Sequence, residues 1–286
     1  GAFVEKILQQ NHFLVLGNDY QERKAYSGTV AYIPYLYDAE ADGENTSGRK
    51  RMIYLYERNK TGICVNRVFG YDGIVEIPDT LNGFPVTELG AYIFSDHIDV
   101  SELNKKKETG TYCTENGTEE TPADDMPQAA GNQVEEICLP RFLRKIGRYA
   151  FYNCFKLRRL KFCGEMKDLG AGALTGCHKM EQITVETDEN GQSALRDFLT
   201  ELPETLRVDM KTDGELGRFW FPEFFEEGVE NTPARILENH VHGSGIRYRN
   251  SFVNKKLHTL EYDKLFPYAV AWEQERIVLN LALDRI

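Results

Sequence analysis

His240 and His242 form an H-x-H pair, which on a β-strand would put two imidazoles on one face, where a metal could bind. The flanking pattern instead reads as the end of a helix, and no third ligand stands nearby, so no metal site is expected. Six cysteines, Cys64, Cys113, Cys138, Cys154, Cys163 and Cys177, contain no C-x-x-C pair. They read as mostly core thiols, in preference to a zinc site or a disulfide framework. Unbonded thiols favour a reducing, cytoplasmic setting. The chain has no G-x-S-x-G, P-loop, G-x-G-x-x-G or H-E-x-x-H signature, so no catalytic or cofactor-binding residue is nominated and no cofactor is expected. The aromatic run "RFWFPEFF" around Trp220 reads as core rather than as a ligand box.

Charge supplies two further candidates. From His240 to His258 no acidic residue appears, and Arg247, Arg249, Lys255 and Lys256 interleave with Tyr248 and Phe252. Such a run can bind phosphates and stacked bases, or dock on the protein's own acidic surface. The net charge of −11 disfavours a general nucleic-acid or anionic-membrane binder. The second candidate is a banded set: Glu135 and Glu136, then Arg158, Arg159 and Lys161, then Glu181. Acidic, basic and acidic groups on adjacent strands would pair laterally or recognise a complementary charged partner.

That banding implies elements spaced at a fixed interval, and the sequence has one. Gly147 aligns with Gly170 at an offset of 23 residues. At the same offset Ala150 meets Ala173, Phe151 meets Leu174, Cys154 meets Cys177, and Leu157, Leu160 and Phe162 meet Met180, Ile183 and Val185. Val134, Ile137 and Leu139 stand one interval earlier. The spacing puts two residues on one strand face, and each unit buries too little alone, so neighbours must stack. The glycine allows a close backbone approach. A less regular unit, Ile74 to Asp96, repeats Ile77-Pro78, Leu89-Gly90 and Phe94, with a turn signal at Asn82-Gly83.

This frame resembles the BspA-like leucine-rich repeat family, over Ile74 to Val185 and with one interruption. The resemblance implies a short solenoid of about 23-residue repeats used for protein–protein recognition, and it keeps the cell surface open as an alternative location. The interruption, 98–133, carries eight acidic and three basic residues without apolar period, and reads as a solvated, partly disordered loop.

In the flanks, Ile53 to Glu57 and Ile63 to Val68 read as a hairpin capping the first repeat. Residues 4–16 suit a helix or a strand, 28–37 a strand, and 38–50 a polar loop. Downstream, "SALRDFLTELP" reads as a short helix opened by Ser193, and 205–222 as a hairpin across Asp213-Gly214. After Pro222 helices are expected, one capped by Thr232-Pro233 and stopped at Gly243. A last amphipathic helix follows from Pro267, with Glu273, Arg276, Asn280 and Asp284 along its polar stripe. An opening Gly-Ala and an end at Ile286 without a stop signal suggest that the native chain extends further.

The expected fold class is therefore α+β: an N-terminal segment over 1–50, a capped repeat region over 51–190, and a mixed, mostly helical region over 191–286. The expected function is non-enzymatic binding of a protein partner. Polyanion binding through 240–258 is the alternative, and behind it an enzyme hidden in the C-terminal region. No apolar stretch approaches the ~18 residues of a membrane span.

Overall fold

The computed structural model describes residues 51–164, 166–231 and 236–284. The expectations for 4–16, 28–37, 38–50 and Thr232-Pro233 lie outside the described residues. The chain divides into two compact units, and all the described residues belong to the one spanning 50–284. Its architecture is α+β, with two larger sheets and a few short helices.

Strands β1 (Ile53–Arg58) and β2 (Ile63–Phe69) form the expected antiparallel hairpin. Asn59 shapes its turn: Oδ1 accepts from the backbone N–H of Thr61 and of Gly62, both at 2.9 Å. After β3 (Ile74–Glu76), a second hairpin joins β4 (Thr80–Leu81) to β5 (Phe84–Leu89). Its turn is Asn82-Gly83, with φ of 49° and 78°, the pair of positive angles that a tight two-residue hairpin requires.

The interruption at 98–133 is ordered, which corrects the loop reading. Its first half is a helix, α1 (Val100–Thr109), capped by Asp99, which accepts from the N–H of Ser101 at 2.8 Å. Strand β6 (Thr111–Thr114) follows and pairs with β1, so that Cys113 is fully buried. The rest runs back along the hairpin, where Gly70 N–H donates to Pro127 O and Ala129 N–H to Val68 O, both at 2.9 Å. A sustained apolar period is missing for a physical reason. Helix α1 buries only Leu103, and β6 is a four-residue edge strand.

The repeats build two parallel ladders. One runs through β3, β7 (Glu136–Cys138), β9 (Arg159–Cys163), β11 (Gln182–Glu186) and a later strand. The second joins β5, β8 (Lys145–Ile146) and β10 (Asp168–Leu169), and β2, β1 and β6 extend it. In the first, Val75, Ile137, Leu160 and Ile183 align in register, each at most 2% exposed. Burying such side chains stabilises by about 1.5–3 kcal/mol each. This row explains the periodic letters: they are the inward ones.

Between the ladders, turn segments stack rung on rung. Phe94 N–H donates to Ala150 O and Phe151 N–H to Ala173 O, both at 2.8 Å. The Phe94 and Phe151 rings stack at 5.6 Å. A Cβ on Gly147 would lie 2.4 Å from Ala91 N, and one on Gly170 2.4 Å from Arg148 N, so this contact excludes every other residue type. The repeated cysteine has a polar role besides filling space. Cys154 Sγ donates to Phe94 O and Cys177 Sγ to Phe151 O, each at 3.2 Å and buried. All six cysteines are free thiols.

Beyond the repeats, α2 (Leu195–Glu201) is the expected short helix, and Ser193 Oγ accepts from Leu195 N–H at its start. Strands β12 (Leu206–Thr212) and β13 (Glu215–Phe221) form the expected hairpin. Strand β12 also pairs in parallel with β11, so the first ladder gains two strands and ends antiparallel.

The helix expected after Pro222 is instead a two-stranded ribbon, β14 (Phe225–Asn231) with β15 (Ile236–His242). The seven residues of β14 pair in unbroken register with β15, from Phe225↔His242 to Asn231↔Ile236, and this pairing outweighs the Thr-Pro signal. The ribbon makes the region mixed rather than mostly helical. It is followed by α3 (Gly245–Arg249), the small hairpin of β16 (Phe252–Val253) and β17 (Lys256–Leu257), and three helices. These are α4 (Thr259–Lys264), α5 (Phe266–Trp272) and α6 (Glu275–Leu283), so the expected last helix is two, broken at Glu273-Gln274.

Two outcomes check this packing. Replacing 98–133 by a short Gly/Ser bridge removes β6 and exposes β1, so the thermal midpoint should fall by about 10 °C or more. A shift of only a few degrees would return the segment to a solvated loop. Replacing Cys154 and Cys177 together by Ala should cost about 1–3 kcal/mol in denaturant unfolding. Neither thiol should alkylate in the native protein, because burial pushes Cys154 up to about 12 and Cys177 higher still. Rapid labelling of both would place them at the surface.

Candidate interaction face

The outward residues of the first ladder form a charged face. Register sets Glu136 beside Arg159, Gln182 and Arg207, and Cys138 beside Lys161, Thr184 and Asp209. The inward neighbours Ile137, Leu160 and Ile183 hold these side chains outward, because alternate residues take opposite faces.

Acid and base do pair across rungs. Arg159 and Glu136 form one ion pair, and Arg158 Nη2 lies 2.8 Å from Glu181 Oε1 in another. Glu135 is exposed just before β7, and its carbonyl accepts from Arg158 N–H at 2.8 Å. Lys161 is exposed and makes no ion pair among the described residues. These pairs stand in water and each contributes at most about 1 kcal/mol.

The face continues onto strands left out of the sequence-derived candidate set. Asp209, 8% exposed, accepts from Gln182 Nε2 at 2.8 Å, Arg207 Nη2 at 2.9 Å and Arg218 Nε at 3.0 Å. Asp284 at the end of α6 joins the same network through Arg218 and accepts from Trp220 Nε1 at 2.5 Å. Burial opposes the charge on Arg218, but Asp209 and Asp284 override it and raise its pKa. The missed signal was the alternation of Arg207, Asp209 and Lys211 between Leu206, Val208 and Met210.

The second candidate, the basic run, does not assemble. Arg249 is 3% exposed, and its guanidinium donates to Leu199 O, Pro222 O, Leu202 O and Glu204 O at 2.5–2.9 Å. Burial lowers its pKa to about 10. With its donors spent on carbonyls, it cannot face a dissolved anion, which corrects its nomination. Arg247 lies over the Tyr268 ring at 4.4 Å, and Lys255 lies 3.5 Å from Asp197. Lys256 is exposed beside Gly191. The H-x-H pair sits on β15 rather than at a helix end, and His242 stacks on Phe225 at 4.6 Å with Glu227 3.1 Å away. Among the described residues no three His, Cys, Asp or Glu side chains are placed to hold a metal ion.

Residues 130–198 match the family model described as BspA type leucine rich repeat region (6 copies), in the middle of the chain. Repeats of this family generally mediate protein–protein interaction and are typically non-enzymatic. No curated protein matches the chain, and no solved structure does. Among the described residues no helix is long and apolar enough to cross a membrane.

Arg249→Met should lower stability by about 3–5 kcal/mol in denaturant unfolding, because it strands buried carbonyls. Lys255→Glu with Lys256→Glu should change stability by about 0.5 kcal/mol or less, as exposed substitutions do. Equal effects of the two would contradict the buried role of Arg249.

Proposed function

We propose that the chain is a non-enzymatic protein–protein interaction module, built as a short leucine-rich-repeat solenoid with β-structure capping its N-terminal end. Its recognition surface is the outward face of the β7–β9–β11 ladder, with Glu135, Glu136, Arg158, Arg159, Lys161 and Glu181 as contact residues. The observation that carries this reading is the placement of six charged side chains on adjacent rungs of one rigid, apolar-backed sheet. A partner with the opposite banding exchanges partners with these exposed pairs at little cost, since each is worth so little in water. Lys161, which makes no ion pair among the described residues, is the point of attraction for an acidic group on the partner. The polyanion alternative loses support with Arg249 buried, Arg247 lying over the Tyr268 ring and Lys255 beside Asp197.

Reversing Arg158, Arg159 and Lys161 to Glu should abolish capture of partners from an extract of the native source, with the fold retained. The new glutamates face Glu136 and Glu181, so a stability loss of about 1–2 kcal/mol is expected. Capture by the native chain should weaken as salt rises. Lys255→Glu with Lys256→Glu should leave capture intact. Retention of the partner by the triple reversal, and its loss on the lysine pair, would move the recognition surface to the C-terminal region.

A further inference from the structure

The turn segments between the two ladders carry a row of aromatic rings in mutual contact. Tyr92 and Tyr149 occupy the same place in successive repeats, and their rings stack at 5.3 Å and 26°. Tyr152 meets Tyr149 edge to face at 5.5 Å, and His97 meets Tyr152 in the same way at 5.3 Å. The three tyrosines are half-buried and His97 is exposed, with Nδ1 2.6 Å from Asp96 Oδ1. Two of the rings are kept at a cost to the backbone. Tyr92 and Tyr149 have φ of 58° and 53°, in the left-handed region that strains a bulky residue. The next repeat puts Gly172 at this place, under the Tyr149 ring and with φ of 65°, so the turn closes without a ring. Nor does the core call for them, since Phe94 and Phe151 fill it from the same turns.

Hydrogen bonding narrows what the row can receive. The hydroxyls of Tyr92, Tyr149 and Tyr152 make no hydrogen bond with any described residue. The adjoining carbonyls of Ala91, Tyr92, Arg148, Tyr149 and Ala171 all accept bonds from within the protein. The row therefore sets hydroxyl donors among apolar rings, while the backbone acceptors beside it are spent. A peptide with an N–H at every residue finds few partners there. A proline-rich segment brings carbonyls without N–H groups, leaves them all unbonded in its extended left-handed helix, and packs its rings on aromatic side chains. Stacked tyrosines suit such a contact because their rings are already fixed, so little side-chain freedom is lost on binding.

We propose that this row docks a proline-rich segment of a partner protein in polyproline II form, with proline rings on Tyr92, Tyr149 and Tyr152 and carbonyls on their hydroxyls. The row lies on the turns, so the proposal does not rest on the charged ladder as the recognition surface. Fluorescence anisotropy of labelled decaproline with the full chain tests it, beside a Gly/Ser peptide of equal length and cellohexaose as a competitor. Decaproline should bind saturably below about 1 mM, and the Gly/Ser peptide about tenfold more weakly or not at all. Replacing Tyr92, Tyr149 and Tyr152 together by Phe keeps the rings and removes only unbonded hydroxyls. That variant should hold the native thermal midpoint and bind decaproline about tenfold more weakly or worse. Tyr92→Gly with Tyr149→Gly should abolish binding, and should that variant unfold, the Phe variant decides alone. Equal binding by the Phe variant, or a Gly/Ser peptide held as tightly as decaproline, would overturn the proposal. So would the absence of saturable decaproline binding below about 1 mM. Displacement of decaproline by an equal concentration of cellohexaose would make the row a saccharide surface and overturn it too.

Discussion

A parallel stack of turns leaves unpaired backbone groups of opposite kind at its two ends, and the structure depends on covering them. In the turn segments at 92–94, 149–153 and 171–175, the N–H groups that bridge repeats point toward the next repeat and the C=O groups that receive them toward the previous one, as Phe94 to Ala150 and Phe151 to Ala173 show. The first turn therefore has orphan carbonyls and the last has orphan N–H groups. A buried cation covers the first set. Arg67, 2% exposed, reaches Tyr92 O at 2.7 Å, Ile93 O at 3.0 Å and Ser95 O at 2.7 Å. A carboxylate covers the second: Glu201 accepts from Gly172 N–H at 3.0 Å and Leu174 N–H at 2.8 Å. Each orphan left dry would cost about 1–3 kcal/mol, so these two side chains offset several such penalties. They also stop the stack chemically, because a further repeat would have to displace them.

Those caps tie the flanks to the repeats. Arg67 is oriented by Gln128, whose Oε1 accepts from its Nε at 2.6 Å, and Gln128 belongs to the interruption at 98–133. Glu201 ends α2, and Arg249 in turn covers the carbonyls of Leu199 and Leu202 at that helix's C-terminal end. Hairpin, interruption, repeats and C-terminal region are thus joined by three buried or half-buried charges rather than by apolar contact alone.

This is also where sequence reading stops. The repeat was legible because its inward letters recur every 23 residues, and the close-approach glycines and buried thiols recur with them. The first two hairpins were legible from their turn residues, Asn59 to Gly62 and Asn82-Gly83. Arg67, Glu201 and Arg249 were not, because a single charged letter looks alike whether it covers a carbonyl or faces water. The interruption carried a helix signal that went unread: Asp99 stands three before Glu102, with lysines at 105–107 in the last turns. On the candidate face, Glu136, Arg159 and Glu181 were placed by the period alone. Asp209 and Arg218 were not, because the step from Ile183 to Val208 is longer than the repeat and breaks the count.

Closing the stack also fixes what the charged face can do. Six strands at ~4.8 Å spacing give a width of ~24 Å, and strands of about five residues give a height of ~16 Å. The product, roughly 400 Å², is about half of what one side of a standard stable interface contributes. Most of its charges are already paired, so they set register and orientation more than affinity. The flat face by itself therefore supports a weak, salt-sensitive encounter. A tighter complex must extend past the sheet onto exposed apolar groups of the repeats, and Phe142 at 44% and Phe155 at 43% exposure are such groups. Both sit in the segments that vary between repeats, where a side chain is free to serve a partner because the stack does not need it.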